Sequence, residues 1–447
     1  MEEQIARIYI TNLGISVFLS MGLLVLTLKR EYAYIPVVLT CSFFTLGEQV
    51  LIFGFHFTVL RLLLLATWFR IFIRGELFEI KLNLIDRMIL LYVIASVITT
   101  VIREGTFAAF QYRMGYAYDS LGSYFFFRAT LLNLEDIQRV VKFFGIMLIP
   151  LTVLMLIEKA TGRNLFYIFG GVPQFSELRD GKLRAQGPFR HPILAGTLGA
   201  TLAPLFLGMW LKQDRNRAIA LMGFIATTMI TILSASSGPV IAYLVGILSL
   251  LTWQFRHNMR IVRWGIACCI VGLHLIMKAP VWHLIGRFSE VFGGTGWYRA
   301  ALIDAAIRHF NEWWLMGQAV TAHWAIGTGL VILPIDPTSV DITSQYILIG
   351  VNGGLLPLIF FIMLLGYAFG SVGRAWPRFD NEGPQWQLFI WSLGASLISH
   401  AASFTSVSYF DQLNFFFFLL LAMIATVFVP RQKAFGFSEE GEFHLAT

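Results

Sequence analysis

Two hydrophilic stretches of an otherwise apolar chain gather side chains that could hold an anion. The first, 159–190, carries Lys159, Arg163, Arg179, Lys182, Arg184 and Arg190, with His191 directly after it. The second, 278–345, carries Lys278, Arg287, Arg299 and Arg308, with His309 and His323 as titratable bases. Arginine supplies a planar, permanently charged fork of donors, so Arg184, Arg190, Arg287 and Arg299 are the candidate residues for a phosphate or pyrophosphate. Gly187-Pro188 signals a turn, and Pro192 suits the first turn of a following helix. That spacing sets Arg190 and His191 at a helix N-terminus, where free N–H groups and partial positive charge favour an anion.

In the second stretch, Ile303, Ile307, Phe310 and Trp314 recur at helical spacing, which predicts an amphipathic helix over 297–314. Arg299, four residues before Ile303, shares that apolar face and should point inward, where a cation needs a partner. Asp304 and Arg308 are spaced as an i,i+4 pair. Gly293-Gly-Thr-Gly296 is no phosphate-binding P-loop, because no Gly-Lys-Ser/Thr follows and no strand precedes it. His309 and His323 lack metal-ligand spacing, and no HExxH, paired CxxC or GxSxG occurs, so neither metal nor cofactor is expected. His309 stays a candidate base, since imidazole titrates near neutrality. The run Ser234-Ala-Ser-Ser-Gly-Pro239 reads as a tight connector between two helices.

The elements that must position these residues are membrane spans. Of 447 residues 57% are hydrophobic and 13% charged, against about 25% charged in soluble domains, which excludes a water-soluble fold. Apolar runs of about 20 residues recur along the chain, the length a helix needs to cross a bilayer. Lipid offers the backbone no hydrogen-bond partner and the runs lack strict alternation, so they are expected to be helices. The expectation is an all-α, polytopic integral membrane protein, one transmembrane domain over 1–447. Twelve runs qualify, including 34–53, 55–73 and 346–369, and a weaker thirteenth lies at 116–132. Cys41, Cys268 and Cys269 sit inside apolar runs and read as core residues rather than a disulfide framework. The first run is followed by Lys29-Arg30, not by a small-residue cleavage site.

Basic residues at 29–30, 74–87, 139–142, 212–217, 256–263, 374–378 and 431–433 fall on one side if every run, the weaker one included, crosses. The positive-inside rule makes that side cytoplasmic. The stretches 159–190 and 278–345 then lie outside and break the rule, which marks them as a basic outward loop and a large periplasmic loop. Glu48, Arg61, His274 and His400 are the ionisable residues within runs and are further functional candidates.

The order of these features resembles the O-antigen ligase and polymerase superfamily of bacterial envelope glycosyltransferases. The resemblance covers roughly 145–370. It rests on Gly187-Pro-Phe-Arg-His-Pro-Ile-Leu-Ala-Gly196 leading into a mid-chain span, and on the Ser-rich turn before 239–255. It continues through the large loop with Arg299 and Trp314-Leu-Met-Gly317, then Tyr346-Ile-Leu-Ile-Gly-Val-Asn-Gly-Gly-Leu-Leu-Pro357. The resemblance implies metal-independent transfer of a glycan from an undecaprenyl-pyrophosphate carrier to a hydroxyl of lipid A core or of another glycan. The reaction would take place at the periplasmic face of a bacterial inner membrane, with no nucleic acid involved. Arginines would steady the leaving pyrophosphate and a loop base would take the acceptor proton. Where the ligases carry His-Asn-x-Tyr, this chain has Thr343-Ser344-Gln345-Tyr346, and where many members have Ser-Arg in the turn it has Ser236-Ser237-Gly238. Gln345 and Tyr346 remain as substrate contacts by position, and the base falls to Asp341, nearest the replaced histidine, with His309, His323 and His191 as other carriers. A polysaccharide or small-anion transporter, and a non-catalytic glycolipid-binding protein, are the alternative readings.

Overall fold

A computed structural model of the chain describes residues 9–212, 215–291, 294–334 and 336–428. Gly293, the end of the last apolar run at Val429, and the basic pair Arg431 and Lys433 lie outside the described residues. The chain is mostly helical, at 73%. The helices are α1 (Asn12–Thr27), α2 (Tyr34–Phe43), α3 (Val59–Ile73), α4 (Leu84–Glu104), α5 (Phe107–Thr130) and α6 (Leu134–Thr161). After the first loop come α7 (Pro192–Leu211), α8 (Arg217–Leu233), α9 (Ser237–Leu251) and α10 (Met259–Ile276). The second loop holds α11 (Leu284–Val291), α12 (Gly296–Arg308) and α13 (Phe310–Trp313). The chain then continues through α14 (Gln345–Gly353), α15 (Leu355–Ala375), α16 (Pro384–Ser403) and α17 (Gln412–Phe428). Five helical segments are long and apolar enough to cross a membrane: Leu84–Glu104, Leu134–Thr161, Pro192–Leu211, Ser237–Ile276 and Leu355–Glu382.

The expected all-α character gives way at three two-stranded antiparallel hairpins: β1 (Gln49–Ile52) with β2 (Phe55–Thr58), β3 (Glu177–Arg179) with β4 (Lys182–Arg184), and β5 (Ile332–Leu333) with β6 (Asp336–Val340). The first falls inside runs expected to be helical at 34–53 and 55–73. Phe53 and Gly54 take φ of 51° and 83°, the two positive values of a type I′ turn, which matches strand twist. An apolar run of this length therefore closes on itself instead of extending α2. The run expected at 346–369 likewise divides into α14 and α15, because Gly354 adopts φ +83° and the Leu355 N–H turns away to the Trp314 carbonyl (2.8 Å).

Helix α7 is the core of the assembly and is buried along nearly its whole length, against α8, α9 and α16. Small residues permit that approach: a Cβ on Gly199 would lie 2.6 Å from the Thr227 carbonyl, and one on Gly208 2.4 Å from Ser392 Cβ. Close backbone contact of this kind gains dispersion. At one end of the bundle Arg128 of α5 bonds Asp86 of α4 (3.0 Å), which also accepts from Tyr124 (2.5 Å), while Arg128 reaches Thr426 of α17 (3.2 Å). Arg70 and Glu76 form a second buried pair.

Two further expectations are corrected. Cys268 and Cys269 are exposed rather than core, since no residue of α10 is buried within the chain. On α12 the buried face is Tyr298, Arg299, Leu302, Ala305 and Ala306, while Ile307, Phe310 and Trp314 are exposed. Arg299 does point inward, but with a different set of neighbours. Asp304 does not serve Arg308; its carboxylate accepts from Trp282 Nε1 (2.7 Å) and lies 2.9 Å from His283 Nε2.

Candidate functional site

The 159–190 loop is folded around one carboxylate. Glu158, at the end of α6 and buried, accepts from the Gln186 N–H (3.0 Å), the Gly187 N–H (2.8 Å) and Ser176 Oγ (2.9 Å). Gly187 takes φ +58°, and its carbonyl accepts from Asn164 Nδ2 (2.8 Å). The Ala185 N–H reaches back to the Leu233 carbonyl (3.1 Å), so the β3–β4 hairpin is seated on the end of α8 with Arg184 facing the Ser234–Pro239 turn. Three charge-assisted bonds on one group should make this knot fragile to a single change. Glu158→Ala is expected to weaken it by roughly 2 kcal/mol, about 30-fold in the open population. Limited trypsin cleavage at Arg179 and Lys182 should accelerate accordingly, and an unchanged rate would refute the role given to Glu158.

The hairpin, the Ser-rich turn and α12 enclose a cavity of about 320 Å³, lined among others by Arg179, Lys182, Arg184, Ser236, Ser237 and Arg299. Arg184 donates to Glu177 (2.7 Å) and to Ser236 Oγ (2.7 Å), and its buried Nε has no hydrogen-bond partner among the described residues. Arg299, 7% exposed, donates to Ser289 Oγ (3.3 Å) and has no carboxylate within ion-pair distance among the described residues. Burial first, then repulsion from Arg179, pushes the Arg299 guanidinium down to about 10, so it is still a cation at neutral pH. Burial also lowers Arg184, against the opposing effect of Glu177. The turn read as a plain connector is thus part of the cavity wall. Its Ala235 is held at φ +44°, an uncommon conformation for a residue with a Cβ. Directly after it α9 begins without a side-chain cap, which leaves first-turn N–H groups for a ligand.

Arg190 is not in that cavity. It lines a larger one of about 530 Å³ with Arg61, Asp119, Gln345, Tyr409 and Asp411 among others. Arg190 Nε lies 3.1 Å from Asp411 Oδ2, an ion pair whose N–H is not aligned for a hydrogen bond. Arg61 grips Asp119 through Nε (2.8 Å) and Nη2 (2.6 Å). Asp411 sits at φ +54°, and its carboxyl is raised by burial, with Arg190 opposing and Asp119 adding to the rise. The Gln345 side chain accepts from the Tyr409 N–H (2.6 Å) and so shapes this cavity, whereas the Tyr346 hydroxyl is tied to the Ala401 carbonyl (3.0 Å). Asp411 carried no sequence signal beyond a lone acid between apolar runs, and Asp119 none beyond a lone acid inside the weaker run at 116–132.

The other candidates scatter. Arg287 is exposed on α11 and lines neither cavity. Asp341 also lines neither; its carbonyl accepts from the Tyr298 hydroxyl (2.8 Å), and burial raises its carboxyl. His191 is the N-cap of α7, with Nδ1 accepting from the Ile193 N–H (3.1 Å). Burial first, then Arg184, pushes it down to about 4, so it is neutral at pH 7. His309 Nδ1 lies 2.6 Å from Glu312 Oε1 and His323 Nε2 lies 2.8 Å from Oε2, while Trp324 Nε1 donates to that second oxygen (3.1 Å). Burial acts to raise Glu312, but the bonds from His309, Trp324 and His323 outweigh it and hold the carboxylate below its ordinary range. Sequence spacing gave these histidines no common ligand; the fold brings them together.

No family model matches the chain, and no curated protein matches it.

Proposed function

We propose that the chain is a membrane-embedded transferase acting on a glycan linked to a lipid pyrophosphate, with the 320 Å³ cavity as the pyrophosphate site. The observation that carries the reading is Arg299, a buried cation with no carboxylate partner among the described residues, set beside Arg184 at the uncapped start of α9. A buried charge is costly unless paired, and a pyrophosphate would supply the missing negative charge. On this reading the chain from α1 to α10 and from α15 to α17 passes between the two faces of a bilayer in alternation, with the ten residues of α2 crossing together with the segment 44–48 that follows it. Both cavities then open among connections on one side, opposite Lys29, Arg30, Arg74, Lys81 and Arg139, which makes their side periplasmic in a bacterial inner membrane.

In the reaction an acceptor hydroxyl, on a glycan or on lipid A core, attacks the anomeric carbon of an undecaprenyl-pyrophosphate-linked oligosaccharide. The bond from that carbon to the pyrophosphate oxygen breaks, and the electron pair leaves with the phosphate. Arg184, Arg299 and the α9 N–H groups meet the growing charge. Asp411 takes the hydroxyl proton in the larger cavity, in place of Asp341, which faces neither cavity.

The test is transfer from a purified lipid-pyrophosphate donor by the full chain in detergent; a wild-type protein that binds donor and never transfers would overturn the proposal. A base must be ionised to work, so the rate should rise with pH through the raised Asp411 value. Asp411→Asn should lower the rate about 10²-fold and remove that acid limb. Arg190→Ala, which takes away the charge favouring the carboxylate, should move the limb to higher pH. Asp341→Asn leaving the limb intact, with Asp411→Asn abolishing it, is the expected pattern; the reverse would assign the base to Asp341.

A further inference from the structure

His309, Glu312 and His323 come from two segments: the junction of α12 with α13, and a 3₁₀ turn over Ala322–Ala325. One ligand atom from each lies within 4.8 Å of the other two. The two oxygens of Glu312 are shared out, one to each imidazole, at 2.6 and 2.8 Å. The ring of His309 stacks on Trp324 (centroids 5.3 Å apart, 13° between planes), and Trp324 is itself fully buried and donates to Glu312. An indole N–H that fixes a carboxylate, and a ring face that fixes an imidazole, are the outer contacts that orient metal ligands. The side chains of His309, Glu312 and His323 are 23%, 29% and 39% exposed, so water can reach the cluster from one side.

We propose that His309, Glu312 and His323 bind a zinc ion, with water in the fourth position. Two imidazoles and a carboxylate form a borderline donor set that suits zinc among the divalent metals. Tetrahedral bonds of about 2.1 Å separate neighbouring ligands by roughly 3.4 Å, a spacing that small rotations of the exposed His323 and Glu312 supply. The metal replaces the two N–H to carboxylate bonds: each neutral imidazole turns to the tautomer that offers the nitrogen facing Glu312 to the ion and carries its proton on the other ring nitrogen. His309 lies ten residues beyond Arg299, about 15 Å along a helix, so the ion does not touch the pyrophosphate cavity. It ties the far end of α12 to the 3₁₀ turn and braces the loop that carries Arg299. The inference stands independently of the transferase reading.

The full chain in detergent is stripped with a chelator, loaded with Zn²⁺, desalted and measured for bound metal. About one zinc per chain should remain, and added Zn²⁺ should raise the melting temperature of the stripped protein. His323→Ala and Glu312→Gln should each cut retained zinc to below about a tenth, and Trp324→Phe should weaken binding about tenfold. Co²⁺ in place of Zn²⁺ should give intense visible absorption that both ligand variants lose. Glu312→Gln keeps size and hydrogen-bonding capacity, so it decides the matter if His323→Ala fails to fold. Wild-type protein retaining no more zinc than Glu312→Gln overturns the site and leaves a hydrogen-bonded staple.

Discussion

Arg299→Met is expected to abolish transfer and stabilise the protein at once. On the proposed reading Arg299 meets the leaving pyrophosphate as its charge grows, so its loss should cost about 10³-fold in kcat, the scale seen when one preorganised donor is removed. In the unliganded chain, however, it is a buried cation whose one hydrogen bond among the described residues goes to a serine. A methionine keeps the apolar stem and lacks the charged head, so it escapes the desolvation penalty and should add roughly 1–3 kcal/mol of stability. Inorganic pyrophosphate should raise the melting temperature of the wild type and leave Arg299→Met unmoved. A variant that loses activity and melts lower would make Arg299 a structural residue and remove the main support for the pyrophosphate site. Arg299→Lys should recover only part of the rate, since a point charge lacks the two-pronged fork.

Asp86→Ala is expected to destabilise the bundle by about 3–5 kcal/mol, because it strands Arg128 in a buried site with its strongest partner gone. The Arg128 side chain is 5% exposed and that of Asp86 0%, and the pair joins α4, α5 and α17 through Tyr124 and Thr426. Replacing both charges together, Asp86→Leu with Arg128→Met, should recover most of the loss, since the penalty lies in the uncompensated charge. Thermal melts of the single and double variants in one detergent check this. A double variant as unstable as Asp86→Ala alone would mean that packing and the Tyr124 hydrogen bond, not charge balance, hold these helices.

The apolar runs located most helices because a helix needs only local hydrogen bonds, and Pro192 marked the start of α7 to the residue. The hairpin at 49–58 escaped because an apolar run reads alike as helix or strand when its turn lacks the usual Asn-Gly; Phe53-Gly54 does the same work. The face of α12 was misjudged for another reason. Periodicity ranks residues by hydrophobicity, whereas α12 buries three alanines and an arginine beside Tyr298 and Leu302, against α11 and α14. The basic character of 159–190 and 278–345 was legible, but its division into two cavities was not. Arg190 finds Asp411 across 221 positions, and Arg184 and Arg299 meet only because Glu158 folds the loop over the end of α8. His309 and His323 likewise converge through a tertiary turn, with no helical spacing to betray them.

Adjacent residues at the start of α7 serve different chambers: Arg190 borders the larger one, while His191 feels the field of Arg184 and Ile193 borders the smaller. The loop after α16 does the same, with Ser406 against Gly238 at the head of α9 and Asp411 against Arg190. The two chambers share no lining residue among the described residues, so a coupling between them would run through the start of α7 and the loop after α16. On the proposed reading, whatever factor a donor in one adds to the affinity for an acceptor in the other, the acceptor must return to the donor. Any such coupling is equal in both directions, and the order of addition becomes a matter of kinetics alone.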